Sequence, residues 1–165
     1  MRSCYKSFSF KELRHALKPA ICTALLALLM APTATCAQVV SGDASIKHRK
    51  AAFTLINTYF SRIYAAVENE RPYVKDEIAE AAQLVETLSA LPWLGFAPGS
   101  EYGATRAKDD IWLDEERFQA LAQDMQAKVK LLAVAARSGE LRVIKPAFLA
   151  ARETCQNCHK MFRKD

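Results

Sequence analysis

Apolar positions recur along the chain in alternating steps of three and four over four separate stretches, the spacing of helices that each bury one face. In the first stretch they are Ile46, Arg49, Phe53, Ile56, Phe60, Ile63 and Val67, with Arg49 the one charged member. Asp43 is the expected N-cap, and Asn69 with the pair Arg71-Pro72 is expected to stop the helix near Glu70. The second stretch, from about Pro72 to Leu91, lines up Val74, Ile78, Ala81, Val85 and Leu88; it is roughly 28 Å long at 1.5 Å per residue. A third, from about Asp114 to Ser138, turns Phe118, Ala122, Met125, Val129, Leu132 and Ala136 inward and is closed by Gly139. The fourth, Leu141 to Phe162, carries Leu141, Ile144, Phe148, Ala151, Cys155, Cys158 and Phe162 on its seam. Pro146 lacks an N–H and clashes with the preceding turn, so this helix is expected either to kink there or to begin at Pro146 after a separate turn.

Four helices that each need a partner predict an all-α fold, an antiparallel four-helix bundle. The first and third connections span a few residues and place their helices side by side in opposite directions. The middle one, Pro92 to Lys108, reads PWLGFAPGSEYGATRAK and has no helical period. A structureless link of that length is unusual unless it has a task, and Trp93, Phe96 and Tyr102 are expected to cover something apolar.

Composition agrees with one helical domain: 165 residues, 51% apolar and 25% charged, with five glycines and six prolines. The net charge of +5 is unevenly spread. Residues 1–37 hold Arg2, Lys6, Lys11, Arg14 and Lys18 against Glu12 alone, which leaves 18 basic and 17 acidic residues beyond them and no electrostatic case for nucleic acid.

That basic start is followed by the apolar run AICTALLALLMA and the small residues TATCA, the order of a secretory signal peptide. The run is too short to cross a bilayer, which takes roughly 20 residues. Residues 1–37 are therefore expected to be removed, with Gln38 the mature start, residues 38–165 the functional domain, a periplasmic location and no membrane attachment afterwards. Lipid anchoring at Cys36 is a minor alternative, since Thr33 stands where a leucine is wanted. Of the five cysteines only Cys155 and Cys158 then remain, which excludes a disulfide-rich scaffold.

Those two belong to Cys155-Gln156-Asn157-Cys158-His159, the CxxCH arrangement of c-type haem attachment. Two thiols at this spacing can each join a haem vinyl group through a thioether, and the adjoining imidazole can serve as axial ligand. In helical register the three side chains share one face. The competing readings fit less well. A thioredoxin-like dithiol wants a strand before it, and zinc wants about four ligands where the mature chain offers two cysteines, His48 and His159. One motif implies one covalently attached haem c per chain, with His159 as the metal ligand. For the opposite axial position Met161 lies off the His159 face, Met125 reads as core filler and His48 as a rim residue, so no strong sixth ligand is visible.

The chain resembles the cytochromes c-prime, the class II c-type cytochromes. The resemblance covers Gln38 to Asp165 through KHRKAAFTLI, TLSALPWLGFAPGSE, DIWLDEERF and the closing CQNCHKMFRKD. It implies a four-helix bundle with the haem attached near the end of the last helix. It further implies that Cys155 and Cys158 form the thioethers, that His159 is the proximal ligand and that Arg163 lies beside the proximal face. By the same resemblance Arg49 interacts with a haem propionate, in keeping with the demand of a buried guanidinium for an anion, and Phe53 roofs the distal face. Phenylalanine cannot ligate iron, so the iron is expected to be five-coordinate. Trp93, Phe96 and Phe118 are expected against the haem, the alternative being ordinary core aromatics and a loop anchor.

The leading functional expectation is a periplasmic monohaem cytochrome, not an enzyme, that binds nitric oxide or other small gases such as carbon monoxide, transfers single electrons, or does both. A simple low-spin electron carrier is the alternative. A peroxidase is disfavoured because a Phe53 roof offers no acid–base group. Leu55, Tyr59 and Leu84 form a second apolar strip off the main seams, and the resemblance implies a homodimer through the first two helices.

Overall fold

The structure, a computed structural model, describes residues 41–165. The expected leader and its cleavage site before Gln38 lie outside the described residues. The elements are α1 (Gly42–Val67), α2 (Lys75–Leu88), a 3-10 turn (Pro92–Phe96), α3 (Asp110–Leu113), α4 (Glu115–Ser138) and α5 (Leu141–Phe162). The four long helices are those the apolar spacing predicts, and α3 and the 3-10 turn both fall in or beside the middle connection.

The ends are set by local chemistry. Ser41, not Asp43, caps α1, its hydroxyl accepting from the Ala44 N–H at 3.3 Å. Asp43 sits in the first turn, where its charge favours the helix N-terminus. The helix stops at Val67, short of Glu70, and Asn69 takes the left-handed conformation at φ 60°. α2 is shorter than expected because Val74, in the extended conformation its branched side chain favours, precedes the helix instead of joining its seam. Asp114 caps α4, and Gly139 closes it at φ 73°, where other residues are strained. Of the two expectations for Pro146, a start at the proline is overturned: α5 begins at Leu141 and continues through Pro146. Pro146 and Arg142, whose carbonyl loses its helical donor, are both exposed, so water can take the place of the missing N–H.

The antiparallel arrangement is visible at both ends. At one pole Lys145 on α5 pairs with Glu68 after α1 at 3.8 Å. There too, a Cβ on Gly139 would collide with the Lys75 side chain of α2. At the other pole Phe96 of the 3-10 turn, Phe118 of α4 and Phe162 of α5 meet, with ring centroids 4.8 and 5.4 Å apart along the series. The core between the poles contains Ile56, Ile63, Ile78, Val85, Val129, Leu132, Ile144 and Phe148.

Phe148 is fully buried and stacks on Phe60 at 4.6 Å. Phe148→Ala should lower unfolding free energy by about 3–5 kcal/mol, read as a lower denaturant midpoint by circular dichroism.

The middle connection is more ordered than its composition predicts. The Trp93 indole N–H donates to Ser89 O at 2.7 Å and that of Trp112 to Phe96 O at 3.1 Å, so both rings are held by backbone. Gly95 lies so close to α1 that an added Cβ would stand 2.6 Å from the Arg49 Cβ and 2.7 Å from Ser45 O. Tyr102, expected to cover apolar surface, is instead 74% exposed.

Candidate functional site

The CxxCH motif occupies the final turns of α5, at the pole where the middle connection crosses the bundle. Cys155 and Cys158 are both free and half-buried, and His159 is reached by solvent. Cys155 packs against the main core, whereas Cys158 packs against a second group formed by Ile111, Phe118 and Phe162. Trp93 touches both groups. The motif thus opens onto the seam between two apolar clusters.

Burial raises both thiol pKa values, that of Cys158 to about 11 with the neighbouring Cys155 as the second cause. A redox dithiol needs the reverse, a thiol pKa lowered towards neutrality. Two thiols one helical turn apart, an adjacent imidazole and an aromatic wall fit a haem held by thioethers, as a planar apolar group with one axial ligand requires.

Arg163 donates from Nη1 towards His159 Nδ1 at 3.4 Å. The His159 pKa is lowered, by desolvation first and then by the charges of Arg163 and Arg106. Arg106 was not anticipated from the sequence. It is brought there by a short antiparallel bridge between Ala107 and Arg163, in which Lys108 N donates to Phe162 O at 3.0 Å and Lys164 N to Arg106 O at 2.7 Å. The Arg106 Nε donates to Lys164 O at 3.1 Å.

The four aromatic residues singled out in the sequence come together. Phe53 on α1 meets Trp93 edge-on at 6.0 Å and Phe96 at 6.5 Å. Phe118 lies 5.8 Å from Trp93 and 4.8 Å from Phe96. These edge-to-face contacts suit the ring quadrupoles. Elsewhere, Met125 is buried in the main core, and His48, exposed, donates from Nε2 to Leu91 O at 2.7 Å.

Arg49 is 3% exposed, and groups of the middle connection surround its head. Nη1 donates to Gly95 O at 2.6 Å and Ser100 Oγ at 2.8 Å, and Nη2 to Ser100 O and Thr105 Oγ1, both at 2.7 Å. Its planar head lies 4.7 Å over the Phe96 ring and 5.8 Å from that of Trp112. Burial lowers its pKa, opposed by the charge of Glu101. Neutral carbonyls and hydroxyls of the loop satisfy the terminal N–H donors, a possibility that a count of charged partners overlooks. Ser100, Thr105 and Trp112 were not singled out beforehand, since isolated residues of a loop and of a single-turn helix carry no periodic signal. The one available hint was their clustering around a connection too long to be idle.

Comparison with known proteins bears on the same residues. The sequence profile of the family described as Cytochrome C' matches residues 44–163. Cytochrome c' of Alcaligenes xylosoxydans xylosoxydans is 34% identical over 127 residues, 77% of this chain and 98% of that protein. That of Rubrivivax gelatinosus is 38% identical over 124 residues, 74% and 95% of the two chains. The crystal structure of the Rubrivivax gelatinosus protein superposes with a TM-score of 0.74 at 35% identity, covering 77% of this chain and 100% of that one. A nitric oxide complex of a point variant of the Alcaligenes xylosoxidans protein gives 0.72 at 33% identity, covering 76% and 98%. With the profile spanning all four long helices and the CxxCH turn, the chain belongs to the cytochrome c' family of haem proteins.

Proposed function

We propose that this protein is an exported monohaem cytochrome that binds nitric oxide and carbon monoxide at a five-coordinate iron and passes single electrons through the same group. The observation that carries the reading is the ring group of Phe53, Trp93 and Phe96, an apolar roof without an acid or base. The haem, when bound, supplies the iron that takes the gas and exchanges the electron. Cys155 and Cys158 hold it through thioethers, and the His159 imidazole provides the proximal ligand. Phe53 excludes both water and a sixth protein ligand from the distal face, while Phe96 and Phe118 line the apolar edge. Arg163, with Nη1 3.4 Å from His159 Nδ1, would orient that imidazole and supply positive charge beside it.

A roof whose one donor, the Trp93 indole N–H, is already spent on Ser89 O favours nitric oxide over dioxygen, which depends more on distal polar help. It also disfavours peroxide cleavage, which benefits from a distal acid–base residue. The nitric oxide complex of the Alcaligenes xylosoxidans variant supports the same ligand. The deciding measurement is the optical and electron paramagnetic spectrum before and after nitric oxide. High-spin iron that binds the gas is expected, and low-spin iron indifferent to it would leave a simple electron carrier.

Export and assembly belong to the same proposal. The purified protein should begin at Gln38 with an intact mass one haem above that of the mature polypeptide; retention of Met1 would refute the processing. Among the described residues no helix is long and apolar enough to cross a membrane. Leu55 is 45% exposed on α1, and a shallow groove between α1 and α2 is lined by Tyr59, Arg62, Glu77 and Leu84. This face is assigned to a homodimer, to be checked by light scattering at micromolar concentration, where a monomer mass would count against it.

A further inference from the structure

We propose that Arg49 is the latch of the loop from Gly95 to Thr105 and, through that loop, the residue that sets how readily a small ligand reaches the ring group around Phe53. The second half of this inference rests on the gas-binding reading above; the first does not.

The two terminal nitrogens of Arg49 make four short hydrogen bonds, and their acceptors lie at both ends and in the middle of the loop. Gly95, clamped through its carbonyl, directly precedes Phe96, on whose ring the same guanidinium rests. One side chain of α1 therefore fixes both the backbone at 95 and the ring at 96. Phe96 in turn contacts Phe53 and Trp93. For those rings to part, the loop must lift, and lifting leaves a buried guanidinium with unmade hydrogen bonds. At its start the loop lies so close to α1 that a Cβ on Gly95 would stand 2.7 Å from Ser45 O and 2.8 Å from Arg49 N. Ser100, itself without solvent exposure, ties the middle of the loop by donating from Oγ to Ala97 O at 2.7 Å.

The latch continues towards the other side of the site. Thr105 Oγ1 also accepts from the Ala107 N–H at 3.1 Å, and Ala107 is bridged to Arg163 beside His159. A contact of Arg49 with a propionate would use its charge; the latch uses its shape, since four bonds leave two separate nitrogens of a planar fork, whereas an ammonium offers three donors from a single nitrogen.

The test separates charge from shape. Ser100→Ala and Thr105→Val each remove an acceptor while leaving the Arg49 charge in place, and Arg49→Lys keeps the charge but loses the fork. In all three variants amide hydrogen exchange over residues 95–107 is expected to rise about tenfold or more. Carbon monoxide association with the reduced holoprotein, followed by flash photolysis, should accelerate in the same order as exchange. Parent-like exchange in Ser100→Ala and Thr105→Val would overturn the latch. Faster exchange with parent-like association would overturn the gating. A parent protein that binds no carbon monoxide would end the gas-binding reading and the gating together, while the exchange rates would still decide the latch. Circular dichroism of each variant confirms the fold, and two single substitutions at separate acceptors guard against one failing to fold.

Discussion

Replacing both Cys155 and Cys158 by serine should yield a protein whose haem is fully extracted by acidified organic solvent, while the parent keeps its haem through the same treatment. The effect is all or none because a thioether survives denaturation and a coordinate bond from His159 does not. Serine is close in size to cysteine, and both positions lie half-buried at the margin of the core, on a helix whose buried side chains include Ile144, Phe148, Ala151 and Phe162. The apoprotein fold should therefore persist, as circular dichroism can verify. Each single variant should retain one thioether and so remain coloured on a denaturing gel. A double variant that still carried haem after extraction would place the attachment elsewhere, and a parent that released it would remove the c-type assignment.

Phe53→Ala should accelerate association of both carbon monoxide and nitric oxide, with the parent slower because an incoming diatomic must first displace a phenyl ring. The ring is held by edge contacts to Trp93 and Phe96 at 6.0 and 6.5 Å but is only half-buried. Its loss should therefore cost somewhat less than the roughly 3–5 kcal/mol typical of a fully buried phenylalanine. The two readouts move in opposite senses, faster binding and a lower melting temperature, and both are needed. Unchanged association in a folded variant would show that Phe53 does not guard the iron.

A related consequence concerns which side finally holds nitric oxide. On the proposed reading, an obstructed distal face should let the gas compete with His159 and be held beside Arg163, whose Nη1 lies 3.4 Å from the imidazole. A five-coordinate nitric oxide spectrum in excess gas is the expected result. A spectrum that stays six-coordinate would retain the c-type assignment and refute the exchange of faces.

The periodic parts of the molecule could be read directly from the chain. Phe118, Ala122, Met125, Val129, Leu132 and Ala136 are all buried on α4, and Ile144, Phe148 and Ala151 on α5. A helix buries one face whatever packs against it, so spacing alone carries that information. The CxxCH turn was legible for a similar reason, since its chemistry is contained within five consecutive residues. Helix ends were less legible: Ser41 and Asp43 are both good caps, and the choice between them depends on a hydrogen bond to Ala44.

What only tertiary structure decided is what surrounds those elements. The partners of Arg49 lie 46 to 56 residues away along the chain, on a connection without period. Arg106 reaches the neighbourhood of His159 through a backbone bridge that is closed only once α5 has docked. Tyr102 points outward although its composition argued the reverse. In each case the deciding interaction is a hydrogen bond or ring contact between distant segments, whose geometry depends on the bundle already being formed. The sequence by itself determined four helices, their inward faces and the CxxCH turn, because those properties are local; the packing of the bundle decided how the loop closes over that turn, because a buried donor takes whichever acceptor the fold brings within reach.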